Sequence, residues 1–317
     1  MSVPKNYLLY TNIFIHIFLL CSCREASNKD GSDTQEYRFG LHLKEGSRYY
    51  YTLVNETTTQ LEAGGRKSRT GNNAEVGLLY EVVTDSASHI AVKITYDKLR
   101  VVLMPAEGVE QEFDASDSIY VNDPVIKMLK TIKGSSMMIS LDPSGGFLNV
   151  DGGQEIYQKV IAGLNVPDES MKKQLQEQLS KLAGPNFVKA NLEHGFKLLP
   201  DSTISEGSKW RNDLLQAGDI SFTGEAEYEL VSLKKDVATI KESSSMINDK
   251  NSKVAIAGLQ VASALEGSQD GRYEIDINTG LLVNGKSQAI VEGLIQVMGQ
   301  EIPVRVRTTK TVALKKL

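Results

Sequence analysis

Between Asp219 and Leu230 apolar or small residues alternate with polar ones without a break. Ile220, Phe222, Gly224, Ala226, Tyr228 and Leu230 hold one parity, and Asp219, Ser221, Thr223, Glu225, Glu227 and Glu229 hold the other. A helix would spread this pattern around its circumference, whereas a strand sorts it onto two faces, so the chain must build a sheet with one buried side. The same alternation runs through Val92, Ile94 and Tyr96 and then switches parity to Leu99, Val101 and Leu103. A one-residue slip would turn the whole set to the wrong face, so a bulge or bend is expected near Asp97-Lys98.

Further strands follow from turn chemistry. Asp142-Pro143-Ser144-Gly145 reads as a turn between Met137 to Leu141 and Phe147 to Val150, and Tyr273, Ile275 and Ile277 run into an Asn278-Thr279-Gly280 turn. Ile302, Val304 and Val306 are placed to pair with Ile290 to Val297 across Gly299, and Pro303 marks that strand as an edge. Tyr49-Tyr50-Tyr51 must point to both faces of a strand, which fits cross-strand packing better than a stacking platform.

The period changes between Gln154 and His194. Ile156 and Val160 fit the inward face of a short helix; Met171, Leu175, Leu179 and Leu182 recur at helical spacing between Pro167 and Gly184-Pro185; a third helix is expected from Phe187 to His194. The body is therefore read as a β-rich half over residues 37–152, a helical insertion over 153–196 and a second β-rich half over 205–317. The halves echo each other: Glu45-Gly46-Ser47-Arg48-Tyr49 resembles Glu206-Gly207-Ser208-Lys209-Trp210, and Tyr80-Glu81-Val82-Val83 resembles Tyr228-Glu229-Leu230-Val231. Either the halves are a diverged duplication or both show what any antiparallel meander shows.

The N-terminus carries a different message. Lys5 precedes a mostly apolar run from Tyr7 to Leu20, too short to span a bilayer before Arg24-Glu25 and of the length of a signal-peptide core. It ends in Leu20-Cys21-Ser22-Cys23, which resembles the lipobox of bacterial lipoproteins. That resemblance implies a signal peptide over residues 1–22 and lipidation of Cys23, with two or more acyl chains holding the protein on its membrane in the cell envelope. Residues 23–36 are almost wholly polar and are expected to form a flexible tether, spanning roughly 20 Å as a coil. The chain's two cysteines, Cys21 and Cys23, both lie at the cleavage point, so no disulfide and no cysteine nucleophile is expected in the body.

Composition adds exclusions. The net charge of −5 becomes one unit more negative once Lys5 is removed, and there is no long basic block, so nucleic acid is not an expected partner. His42, His89 and His194 are far apart in the chain and form no metal-ligand spacing, and no nucleophile elbow, phosphate loop or dinucleotide fingerprint is present. The expectation is a protein without cofactor or catalytic activity. Met137, Met138 and Met298 fit core filling better than an adaptable pocket. Asp85-Ser86-Ala87, Asp117-Ser118-Ile119 and Asp201-Ser202-Thr203 resemble acceptors of bacterial O-glycosylation.

Taken together, Asn55-Glu56-Thr57-Thr58-Thr59, Gly134-Ser135-Ser136-Met137-Met138 and Leu182-Ala183-Gly184-Pro185 resemble the Bacteroidetes lipoproteins of unknown function called family 6263. The resemblance implies no activity and no site residue. The expected fold is α+β: a long curved antiparallel sheet, half-barrel-like, with the helical insertion packed on one face; two small β domains are the runner-up. A curved sheet of that kind resembles the half-barrels of lipid-binding carriers, which points to a hydrophobic ligand; docking on another envelope protein or a glycan is the alternative.

Overall fold

The computed structural model describes residues 36–86, 88–119, 123–164, 172, 198, 200, 202–216, 222–248, 253–256, 259–297 and 299–317. Within them the alternation becomes one antiparallel sheet of thirteen strands. The first half contributes β1 (Arg48–Ala63), β2 (Arg66–Ser86), β3 (His89–Met104), β4 (Gln111–Asp114), β5 (Ser136–Leu141) and β6 (Phe147–Asp151). The second contributes β7 (Lys209–Gln216), β8 (Phe222–Lys234), β9 (Val237–Asn248), β10 (Lys253–Ile256), β11 (Leu259–Asp276), β12 (Leu282–Val297) and β13 (Gln300–Lys316). The main path runs β6-β5-β3-β2-β1-β13-β12-β11-β9-β8-β7, with β4 paired to β3 and β10 to β11. It ends at β6 on one side and β7 on the other, so the sheet is not closed.

That order contains a repeat. β6-β5-β3-β2-β1 and β12-β11-β9-β8-β7 are the same five-strand arrangement, and β13 joins them between β1 and β12. The echoed sequences occupy matching places. Gly46 donates its N–H to the Val82 carbonyl and Val82 returns one to Ser47; Gly207 donates to Leu230, which returns one to Ser208. Both glycines hold positive φ, 78° and 82°, where a Cβ would be strained. The later turns match as well, since the Asp142 carboxylate accepts from Ser144 and Gly146, and that of Asp276 accepts from Asn278 and Thr279. Between these turns passes the strap from Tyr37 to Leu43: Leu41 donates its N–H to Pro143, His42 donates to Thr279, and Tyr37 pairs with Ile204. Leu41 and Leu43 are buried, and a single apolar core includes residues from both halves.

The predicted parity holds over the described part of β8, while Asp219, Ile220 and Ser221 lie outside the described residues, and in β3 Val102 is buried where the alternation predicts Val101. Phe222, Ala226, Tyr228 and Leu230 are buried while Glu225 on the same strand is exposed. In β3 the expected irregularity falls on Asp97, because Gly77 pairs with Lys98 and Leu78 with Tyr96. Tyr49 and Tyr51 face the core, where Tyr51 stacks on Tyr80 at 5.4 Å, and Tyr50 turns to the other face to donate to Asp97. Met137 is buried, as core filling requires.

Other expectations need correction. Helix α2 (Gly153–Leu164) buries Ile156 and Val160 as expected, but the helices expected at 167–182 and 187–194 lie outside the described residues. The described fold is thus mostly β, with helix as a minor element. Helix α1 (Pro124–Ile132), which sequence reasoning missed, precedes the predicted insertion and packs against α2. Its start is chemically plain: the Asp123 carboxylate caps the N–H groups of Val125 and Ile126, and Pro124 occupies the first turn. Ile126, Leu129 and Ile132 then share one buried face, each contributing about 1.5–3 kcal/mol by leaving water. Pro303 does not mark an edge, because β13 lies between β1 and β12. The β1–β13 ladder stops at Leu61 opposite Val304, so the missing N–H falls where the next residue of β1 no longer pairs.

Candidate functional site

The inward face of the second half is not uniformly apolar. Register places Tyr228, Glu242, Gly271, Ser287, Lys310 and Asn55 side by side at one level across β8, β9, β11, β12, β13 and β1. One level towards β12's C-terminal end lie Ala226, Ser244, Gln269, Ala289, Thr308 and Thr57; one level the other way lie Leu230, Ile240, Tyr273, Gly285, Val312 and Leu53. Two polar levels therefore stand beside an apolar one. The residues are set there by period two alone, since Lys310 shares parity with the buried Val306, Thr308 and Val312.

Glu242 is the centre of this band and is fully buried. Its Oε2 accepts from the Tyr273 hydroxyl at 2.6 Å and its Oε1 from the Gln269 amide at 2.9 Å. Burial raises its carboxyl above the usual range, with the two hydrogen bonds opposing the shift. Burial likewise pushes the Tyr273 phenol well up, and the adjacent Glu242 charge adds to it. Tyr273 reaches Glu242 because glycines lie beneath its ring: a Cβ on Gly271 would stand 2.7 Å from the hydroxyl, and one on Gly285 2.7 Å from the ring.

Lys310 completes the band from the other side. It is half-buried, and desolvation lowers its ammonium to about 8, with Glu242 acting in the opposite sense. Its neighbours in register are Ser287 on β12 and Asn55 on β1. Among the described residues no carboxylate stands within ion-pair distance of it. Further along, Asn248 donates to Ser263 and accepts from the Leu265 N–H, and the Thr57 and Thr308 hydroxyls meet at 3.3 Å. Chemically, both oxygens of the carboxylate accept hydrogen bonds within the protein, whereas the ammonium has no paired anion among the described residues.

A second feature lies where β1 and β13 part. Beyond Leu61 and Val304 a cleft of about 410 Å³ opens, lined by Gln60, Leu61, Arg69, Pro303 and Arg305, with Glu292 tied to Arg305 at 2.7 Å.

Cys23, the lipidation residue expected from the lipobox resemblance, lies outside the described residues, as does His194. His42 sits in the strap and His89 opens β3. Among the described residues no group of three or more His, Cys, Asp or Glu is placed to hold a metal ion, and no helix is long and apolar enough to cross a membrane. Of the glycosylation-like tripeptides, Ser86 and Ser118 are exposed, while Ala87 and Asp201 lie outside the described residues. Glu242 and Lys310 were not singled out by sequence reasoning. Their only signal is a shared parity with apolar neighbours.

A family model covers residues 87–282, which is more than half of the chain. The chain belongs to the family of unknown function DUF6263. All of β8, β9 and β11, and with them Glu242, Gln269 and Tyr273, fall inside the DUF6263 match, whereas Lys310 and Asn55 fall outside it. Comparison with curated proteins gives no match. Among solved structures this DUF6263 chain is similar to lipovitellin, from a study of its lipid–protein interactions, at 10% identity and a TM-score of 0.48 over 86% of this chain. It spans 25% of the lipovitellin chain. It is also similar to an outer membrane channel from Pseudomonas putida F1, at 7% identity and a TM-score of 0.25, over 90% of this chain and 100% of that one.

Proposed function

We propose that this chain is a lipid-anchored protein of a bacterial cell envelope that binds a hydrophobic ligand along the inward face of its sheet and performs no catalysis. The ligand reading is carried by the make-up of that face. At the levels around the polar band the inward residues of β12 are all short, Gly285, Ser287 and Ala289, with Ala226 on β8 and Ala74 on β2 short at single levels, while Tyr228 and apolar side chains such as Leu53, Ile240, Val291 and Val306 border them. Short side chains beside apolar walls are what an elongated apolar guest requires, with a few polar groups to orient it. The anchor reading is supported by Leu20-Cys21-Ser22-Cys23 after an apolar run of signal-peptide length.

The test uses the Cys23→Ala chain, purified without detergent, so that no covalent lipid is carried. Native mass spectrometry should show added mass that solvent extraction removes, and the stripped protein should take up oleyl alcohol or oleate. A protein that carries nothing and takes up neither probe overturns the ligand reading.

A further inference from the structure

We infer that Lys310, with Ser287 and Asn55 beside it, is the recognition point for the anionic head of a single-chain amphiphile. This rests on the hydrophobic-ligand reading above and names the class of ligand. A cation taken partly out of water must recover its lost solvation from a paired charge or from hydrogen bonds. Lys310 has the first half of that condition: it faces inward between Thr308 and Val312, in register with Ser287 and Asn55. The second half is missing among the described residues. The nearest acid acting on it is Glu242, which stands beyond ion-pair distance. In register, Gly271 and Ser287 separate the two, and at about 4.8 Å per strand their backbones are roughly 14 Å apart. Each Glu242 oxygen already accepts one hydrogen bond, from Gln269 or from Tyr273. An incoming carboxylate or phosphate would supply the missing anion; the Ser287 hydroxyl on the neighbouring strand already bonds the Tyr273 oxygen, so the pairing with the head falls to the Lys310 ammonium. The residues flanking the band, Val312 and Leu53 on one side and Val306 and Val291 on the other, are apolar and buried in the core, so an acyl chain running along the strands would replace contacts that they now make.

The head is defined by charge, and two sources share that chemistry: a free fatty acid and a lysophospholipid. Binding of oleate, oleoyl lysophosphatidate and neutral oleyl alcohol to the Cys23→Ala chain separates them. At least one of the two anions is expected to bind about tenfold more tightly than the alcohol, the factor that one charge-assisted hydrogen bond supplies. Preference for one anion identifies the source. Lys310→Met should erase that advantage while leaving the alcohol unchanged, and Lys310→Arg should keep it, which also shows that the fold tolerates change at this position. If the alcohol binds as well as either anion and Lys310→Met alters nothing, the inference fails and the ligand reading stands. If none of the three binds, both fail.

Discussion

Val83 and Val231 are the inserted residues of two matching bulges. Val82 pairs with Val92 and Thr84 with Ala91, leaving Val83 without an opposite; Leu230 pairs with Ile240 and Ser232 with Thr239, leaving Val231 in the same position. Each follows the residue that exchanges hydrogen bonds with the Gly46 or Gly207 turn. A bulge absorbs one residue and restores the facing of what comes after it.

The bulge therefore matters more than its side chain. Val231 is 38% exposed, so Val231→Ala should change stability by no more than about 0.5 kcal/mol. Deleting Val231 leaves the pairs Leu230–Ile240 and Ser232–Thr239 in register but removes the bulge and its local twist beside the Gly207 turn, and should cost about 1–3 kcal/mol. Urea melts of the two variants check this, and equal effects would refute the bulge's role.

Parity makes a second prediction on β8. Phe222 is 1% exposed, and Phe222→Ala should cost about 3–5 kcal/mol through lost transfer energy and a cavity. Glu225, whose ion pair with Arg211 is open to water, should tolerate Ala within about 0.5 kcal/mol. Denaturant midpoints separate these values.

Removing the Glu242 carboxylate strands two buried donors. Glu242→Ala leaves the Tyr273 hydroxyl and the Gln269 amide without their acceptor, at about 1–3 kcal/mol for each donor that finds no other. The companion Tyr273→Phe removes one donor while Gln269 still serves the carboxyl, and should cost less. Thermal melts of both give the order.

Lys310 imposes a pH dependence of definite sign. The unfolded chain holds this proton to 10.5 and the folded one releases it near 8, so between those values the unfolded state binds more protons and stability rises with pH. Tyrosines raised by burial, such as Tyr273, act in the opposite direction only above the ordinary phenol value of 10.0. From pH 8 to pH 10 the wild type should gain stability relative to Lys310→Met, as paired denaturant melts would read. A constant difference would place Lys310 in water.

Cys23→Ala should free the processed protein from the membrane, because residues 24–317 contain no apolar stretch of spanning length. Fractionation of exported, processed variant and wild type checks it; a variant still bound after high-salt washing refutes the lipid anchor.

What the sequence made legible was whatever alternation and turn chemistry express locally. The facing of Phe222 and Tyr228, the irregularity at Asp97 and the turns ending at Gly145 and Gly280 needed only neighbours in the chain. Helix α1 was equally local, with Asp123-Pro124 before Ile126 and Leu129, yet its nine residues are too few to stand out from β-rich surroundings. The polar band was not legible. Glu242 sits in Lys241-Glu242-Ser243-Ser244, where both parities are polar, so nothing in that stretch tells the buried side from the wet one. Lys310 comes into register with it only through pairings that join residues 16 to 29 positions apart. Pro303 misled because a proline's lost donor is harmless wherever a ladder stops, which occurs at strand ends as well as at sheet edges.

On the main path of the sheet β13 is the strand that has no counterpart in the repeat, and it also holds the halves together, pairing Tyr49–Leu61 on one side and Asn284–Val297 on the other. During synthesis or export from the N-terminus, β1 waits through most of the chain's length before residues 304–316 arrive to cover it. Until then its open edge offers unpaired N–H and C=O groups to any other strand. Such long-range closure makes for slow folding, and it turns the arrival of the C-terminal segment into the event that protects the nascent molecule from its own copies.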